Sequence, residues 1–218
     1  MFRSLAFLLT LVSCSLLTTQ ASADFTSTFN IPNGGTIISS GAVGNWYLTT
    51  AGSGGPALLN TSGAPSSVSL NSSATGPGSA TSVTLEFPSV AEAGTVSVDF
   101  NLSASSASGD TPSSATFTIY INGSAVDTYS STMVSTAVVP VLTGDDLAFF
   151  VSSSGGIINP PLDPVTHIPT GGPTILTGSS AVTLSNFTFT PVPEPGTTAA
   201  LVGVTAFSLM FLRRRQKN

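Results

Sequence analysis

Between residues 24 and 190, apolar and hydroxyl-bearing residues alternate with a period of two, stretch after stretch, and Gly, Pro, Ser and Asn separate the stretches. Side chains on a β-strand point alternately to opposite faces, so this pattern writes strands with one dry and one wet face. The clearest strand is residues 95–103. Val96, Val98, Phe100 and Leu102 share one parity there, and Thr95, Ser97, Asp99 and Asn101 the other. Residues 115–121 repeat the pattern, with Phe117, Ile119 and Ile121 inward and Thr116, Thr118 and Tyr120 outward. Asn122-Gly123 follows at once, and both residues tolerate the positive φ that a type I′ hairpin turn requires. The return strand falls near residues 125–130, with Tyr129 facing outward.

Further strands are expected at residues 45–50, 66–70, 82–87, 134–141, 147–152 and 181–190. In the last of these, Val182 and Leu184 share one parity while Phe187 and Phe189 share the other. A bulge near Ser185-Asn186 keeps all four inward. Phe100, Phe117, Ile119, Leu184 and Phe187 are the expected core. No amphipathic helix precedes residue 197. About nine strands with one buried face imply two packed sheets, an all-β, jelly-roll-like antiparallel β-sandwich over residues 24–190. An immunoglobulin-like sandwich is the alternative, but it lacks its Cys…Trp…Cys signature here. Residues 51–65 and 153–172 read as loops rich in Gly, Pro, Ser and Asn, and residues 170–177 equally as a short edge strand.

Charge narrows the chemistry. Only 7% of the residues are charged, against roughly a quarter in an average soluble domain. The five basic residues, Arg3, Arg213, Arg214, Arg215 and Lys217, sit at the two ends, and all ten acids lie between them. A stretch without Lys or Arg cannot neutralise phosphates, which excludes nucleic acid as a partner. No Lys–Asp or Arg–Glu ion pair can form inside it. The single cysteine, Cys14, lies in the N-terminal apolar run, so the domain has no disulfide, thiolate metal site or cysteine nucleophile.

Enzyme motifs are absent: there is no G-x-S-x-G, S-x-x-K or H-E-x-x-H, and the one histidine, His167, falls in a proline-rich loop. The expectation is a protein that is not an enzyme, with no required cofactor. Calcium is the one chemical option the acids leave open, through Asp145-Asp146 after Gly144 with Asp110, Asp127 or Asp163, and an ordinary turn with a solvated charge explains Gly-Asp-Asp equally. Trp46-Tyr47, Tyr120 and Tyr129 are candidate sugar-stacking aromatics, since a ring offers apolar area with a polar edge. Trp46 in the core with Tyr47 outside is the plainer reading.

The two ends read as targeting segments. Residues 1–23 have Arg3, an apolar run over residues 5–17 and a small-x-small site, Ala21-Ser22-Ala23, the pattern of a signal peptide cleaved to leave Asp24 first. At the other end, Val192-Pro193-Glu194-Pro195-Gly196 forms a rigid, non-helical hinge over residues 191–196. An uncharged run over residues 197–212 follows, a single transmembrane helix by its composition. Residues 213–218, with Arg213, Arg214 and Arg215, are a stop-transfer cluster held in the cytoplasm. The domain between the two ends is therefore exported.

This ordered triple of Pro193-Glu194-Pro195, apolar span and basic tail resembles the PEP-CTERM sorting signal. The resemblance covers about the last 27 residues. It implies recognition at Pro193, Glu194 and Pro195 by an exosortase-type membrane enzyme of a Gram-negative bacterium that makes exopolysaccharide. It also implies inner-membrane anchoring during sorting and then release to the cell surface or extracellular matrix. Residues 143–150 paired with residues 182–187 loosely resemble the late strands of jelly-roll domains in such proteins and in carbohydrate-binding modules. Together these features predict a surface or matrix protein that associates with polysaccharide. A secreted carbohydrate-active hydrolase and a self-associating coat protein are the alternatives.

Overall fold

In the computed structural model, residues 22–23, 25–26, 29–106, 108–110, 113–192 and 203–204 are described. The strands are β1 Ser22–Ala23, β2 Thr36–Ile37, β3 Gly41–Val43, β4 Trp46–Ser53, β5 Ala57–Asn60, β6 Ser67–Thr75 and β7 Ala80–Phe87. They continue with β8 Gly94–Ser105, β9 Ser114–Ile121, β10 Ser124–Tyr129, β11 Met133–Val141, β12 Leu147–Ser154, β13 Gly156–Ile158 and β14 Thr174–Pro191. All pairings between them are antiparallel. One sheet runs β11-β8-β14-β6-β5-β2, with β1 and β13 added along β14, and the other runs β10-β9-β12-β7-β4-β3.

The two sheets close face to face over one core, because the period-2 pattern gives each a single apolar face. Trp46 sits at its centre, 1% exposed, with its indole Nε1 donating to Phe29 O at 3.0 Å. The rings of Phe25, Phe29, Phe87, Phe149 and Phe187 surround it at centroid distances of 5.3–6.2 Å. Phe100, Phe117, Ile119, Leu184 and Phe187 are all buried, as their parities require.

The interior changes character along the strands. Toward one end of the strands the inward side chains become small and several are hydroxylated: Ser72 and Ser180 on one sheet, Thr81 and Ser153 on the other, with Ala74 and Ala115 beside them. Ser72 Oγ lies 2.8 Å from Thr81 Oγ1 and 2.9 Å from Ser153 Oγ, and Thr81 and Ser153 are 3.1 Å apart. This buried triangle joins the two sheets directly. Beyond it, a Cβ on Gly178 would overlap the carbonyl oxygens of Ser154 and Ser114, so only glycine lets the backbones approach this closely.

β14 carries the expected bulge. Its register against β8 shifts between Ser185 and Thr188, with Asn186 at φ 49°. Val182, Leu184 and Phe187 are buried, and Phe189 packs against the core. Asp99 pins the irregularity by accepting hydrogen bonds from Asn186 Nδ2 and Thr136 Oγ1. Those two bonds, Asn186 first, hold its carboxyl below the usual range.

Three expectations need correction. Residues 51–65 are not one loop: β4 runs to Ser53 and β5 occupies Ala57–Asn60, because Gly52 and Gly55 bring the chain against the backbones of Ala80 and Ser73. Residues 153–172 begin with the end of β12 and contain β13, which pairs with the start of β14. Tyr129 does not face outward. A register shift between Ala125 and Asp127 in β10 reverses the parity and sets Tyr129 opposite Phe117, 4.6 Å from the Phe100 ring. The transmembrane helix expected at residues 197–212 lies almost wholly outside the described residues. Among those described, no helix is long and apolar enough to cross a membrane.

Truncating a buried ring leaves a cavity, so Phe117→Ala should cost about 3–5 kcal/mol in urea unfolding of the chain. Ser72→Ala should cost about 0.5–1.5 kcal/mol, because it removes the hydrogen bonds that Ser72 Oγ makes across the sheets while Thr81 and Ser153 stay paired with each other. Midpoints unchanged from wild type in both variants would contradict the two-part core.

Candidate functional site

Opposite the core, the β10-β9-β12-β7-β4-β3 sheet turns its second set of side chains to solvent. The registers align them into rows across the strands. One row reads Ala42, Tyr47, Glu86, Ala148, Tyr120, Ala125. The next reads Thr49, Thr84, Phe150, Thr118, Thr128. Below these come Ala51, Ser82, Ser152 and Thr116, and then Ser53, Ala80, Ser154 and Ser114. The face is therefore a floor of hydroxyls and methyls from which three rings project.

Tyr47 is 49% exposed. Tyr120 and Phe150 are half-buried and meet edge to face, with centroids 5.8 Å apart at 86°. Tyr47 and Tyr120 are separated by three strand spacings, about 14 Å. Ala148 and Glu86 lie between them, so the row carries a methyl and a carboxylate at its middle and is aromatic at both ends. The hydroxyls of the lower rows pair across strands, Thr116 with Ser152 and Ser114 with Ser154, each at 2.7 Å. These pairs fix the floor before any ligand arrives. A shallow cavity of about 370 Å³ opens over Phe150, Ser152, Ser154 and Ser82, and a second of about 390 Å³ continues it past Ala51 and Gly52 to Ile38 and Ala57. Such an arrangement stacks rings on flat apolar surfaces and exchanges hydrogen bonds at their edges.

The sequence candidates fall on both sides of this site. Tyr47 and Tyr120 belong to it, whereas Trp46 and Tyr129 belong to the core. Phe150 and Glu86 were not singled out in the sequence. Phe149-Phe150 looks like a pair of core residues, yet strict alternation with Leu147, Phe149 and Val151 inward already places Phe150 beside Ala148 and Ser152 on the outer face.

The proposed calcium ligands do not assemble. Asp145 accepts from Asn122 Nδ2 and from the Leu142 backbone N–H, both at 2.7 Å, which joins the Gly144 turn to the Asn122-Gly123 turn. The Leu142 N–H first, and Asn122 next, hold its carboxyl low. Asp163 accepts from the backbone N–H groups of Thr166 and Val165 and is lowered by them in that order. Asp110 accepts from the Asn159 N–H. Asp145 and Asp110 tie separate segments together and Asp163 closes its own loop, and no group of three or more His, Cys, Asp and Glu among the described residues could hold a metal ion. His167 is exposed at φ 56° on the 159–173 loop.

Pro193, Glu194, Pro195, Arg213, Arg214, Arg215, Ala21 and Asp24 lie outside the described residues, and Ala23 ends β1. The described fold takes in Ser22 and Ala23 of the first motif as β1 and runs up to Val192, one residue before Pro193. Phe25 is fully buried with its N–H bonded to Pro65 O, and Val192 donates its N–H to Ala93 O.

No protein-family model matches the sequence, and no curated protein matches it. Among solved structures, it is similar to a mutant family 29 carbohydrate-binding module complexed with mannohexaose, at 14% identity and a TM-score of 0.35, covering 78% of this chain and 92% of that one. It is also similar to a family 11 carbohydrate-binding module from Clostridium thermocellum complexed with a β-1,3-1,4-mixed-linked tetrasaccharide. That match has 14% identity and a TM-score of 0.27 and covers 80% and 96% of the two chains. The enzymatically active domain of tailspike protein 4 from bacteriophage CBA120 matches at 12% identity and a TM-score of 0.29, with 68% of this chain and 20% of that one covered. Likenesses of this size fix neither ligand nor site.

Proposed function

We propose that this chain is an exported, non-enzymatic surface or matrix protein whose jelly-roll-like β-sandwich binds polysaccharide through the outer face of the β10-β9-β12-β7-β4-β3 sheet. The observation that carries the reading is the row in which Tyr47 and Tyr120 flank Glu86 and Ala148, with Phe150 beside Tyr120. Pyranose rings present apolar faces and hydroxyl edges, and this surface supplies rings for the one and a carboxylate and hydroxyls for the other. Tyr47→Ala combined with Phe150→Ala should abolish retardation of the chain in native gels containing the bound polysaccharide. Neither residue is fully buried, so the unfolding midpoint should stay close to wild type. Undiminished retardation of the double variant would overturn this choice of face.

Delivery rests on the ends. Ser22 and Ala23 of the expected cleavage site form β1 against Phe189 and Thr188, and Val192, bonded to Ala93 O, immediately precedes Pro193-Glu194-Pro195. In the proposed route an exosortase-type enzyme acts near Pro193-Glu194-Pro195, while residues 197–218 hold the chain in the inner membrane. With tags at both ends, the C-terminal tag should part from the domain in cells that make the enzyme, and Glu194→Ala should keep the two together. Wild type that retains its C-terminal tag in every compartment would reduce the tail to a plain anchor.

One observation favours a self-associating coat. β11 is a free sheet edge of nine residues with no charge, and Val134 and Val138 are 76% and 61% exposed on it. Antiparallel pairing of two copies about Thr136 would set each Val134 opposite the other copy's Val138. Val134→Lys with Val138→Lys should then convert an associated form to monomer in sedimentation; wild type that is monomeric at high concentration removes this reading.

A further inference from the structure

We infer that the polysaccharide taken by the aromatic face is an uncharged glycan, lying across the strands along the Tyr47–Glu86–Ala148–Tyr120 row, and that acidic polysaccharides are rejected there. The inference rests on the polysaccharide reading above and specifies its ligand.

Recognition of a uronic acid, sulfate or phosphate group needs a cationic side chain or a metal ion opposite it. The domain has neither. No Lys or Arg occurs between residues 4 and 212, and the one histidine is on the 159–173 loop. No metal-binding cluster exists among the described residues that could bridge two anions. The only ionisable carboxylate in the four rows is that of Glu86, and it stands at the middle of the aromatic row, where the ligand would pass. An anionic sugar stacked on Tyr47 or Tyr120 would meet that charge at short range. It would also approach a domain carrying nine acids and no compensating base, counting the ten of the chain less Glu194. A neutral sugar meets the same carboxylate as a hydrogen-bond acceptor for its hydroxyls. Glu86 is thus attractive to one class and repulsive to the other, which is how a single group supplies specificity.

The direction follows from the relief. Tyr47 and Tyr120 lie in one row, with the short Ala148 side chain between them and Ala42 and Ala125 beyond each end. A chain of sugars laid along the row rests on both rings over their separation of about 14 Å. A chain laid along a strand meets one ring at most in β4 or in β9.

Affinity electrophoresis of the purified chain separates the outcomes. The gels would contain hydroxyethylcellulose, soluble starch, galactomannan or xylan on the neutral side and polygalacturonate or alginate on the acidic side, at low salt with EDTA. Retardation by at least one neutral polymer and by neither acidic one is expected. Tyr47→Ala with Tyr120→Ala should weaken it tenfold or more. Glu86→Lys should lose neutral binding and gain retardation by polygalacturonate that disappears as salt is raised. Wild-type retardation by an acidic polymer equal to that by the neutral ones overturns the charge rule while leaving the polysaccharide reading standing. No retardation by any polymer overturns both. Retained neutral binding in the Tyr47→Ala, Tyr120→Ala variant overturns the row.

Discussion

No cation is available inside this fold, and its cohesion follows from that lack. Nine carboxylates lie between residues 24 and 192 with no Lys or Arg among them, so Coulombic attraction contributes nothing to holding the sheets together. What remains is burial and neutral hydrogen bonding. The interior divides the task along the strands. Trp46 and its five phenylalanine neighbours supply large dispersion contacts where the sheets stand apart. The Ser72–Thr81–Ser153 triangle and Gly178 close the other end, where the sheets draw together. A buried hydroxyl is costly unless partnered, so the triangle works as a specificity device: any slip of one sheet over the other parts Ser72 from Thr81 and Ser153.

The same lack shapes the surface. Without Lys and Arg stems to cover it, the wet face of the aromatic-bearing sheet is built mostly from Ser, Thr and Ala, side chains too short to rise far above the backbone. A ring placed on such a floor stands out by default, which is why Tyr47, Tyr120 and Phe150 dominate the relief of one sheet. On the other sheet the corresponding positions are Thr183, Asn101, Ser69 and Asn60 in one row, with no ring among them. The two faces thus share one chemistry but differ in whether anything projects for a flat ligand to stack upon.

The fold was legible because alternation is a strong local signal. Residues 95–103 and 115–121 sit inside β8 and β9, Asn122 and Gly123 take the positive φ their hairpin demands, and the parity conflict in residues 181–190 resolves through the bulge at Asn186. What escaped depends on contacts distant in sequence. Gly52 and Gly55 look like loop residues until the carbonyls of Ala80 and Ser73 are seen to require them. The bulge in β10 that turns Tyr129 inward carries no Gly or Asn to announce it, since Val126 lies between the two shifted positions. The candidate site was half legible: Tyr47 and Tyr120 were visible as aromatics, but Glu86 and Phe150 join them only through strand neighbours that no local pattern specifies.

Topology settles how the site and the ends can operate together. Ser22 pairs with Phe189, so entry to and exit from the sandwich lie side by side at one end of β14. The hydroxyl-closed end and the 159–173 loop lie at the other. The aromatic row crosses the strands of the opposite sheet and shares no residue with either terminal segment. Val192 thus follows the aromatic-cored end of β14, which carries Phe187 and Phe189. Under the proposed route, processing at Pro193-Glu194-Pro195 would act on chain that directly follows Val192, whose N–H bonds Ala93 O. Val192 follows β14 of one sheet and the aromatic row lies on the other, so in the proposed reading the processed end and the glycan-facing row share no strand.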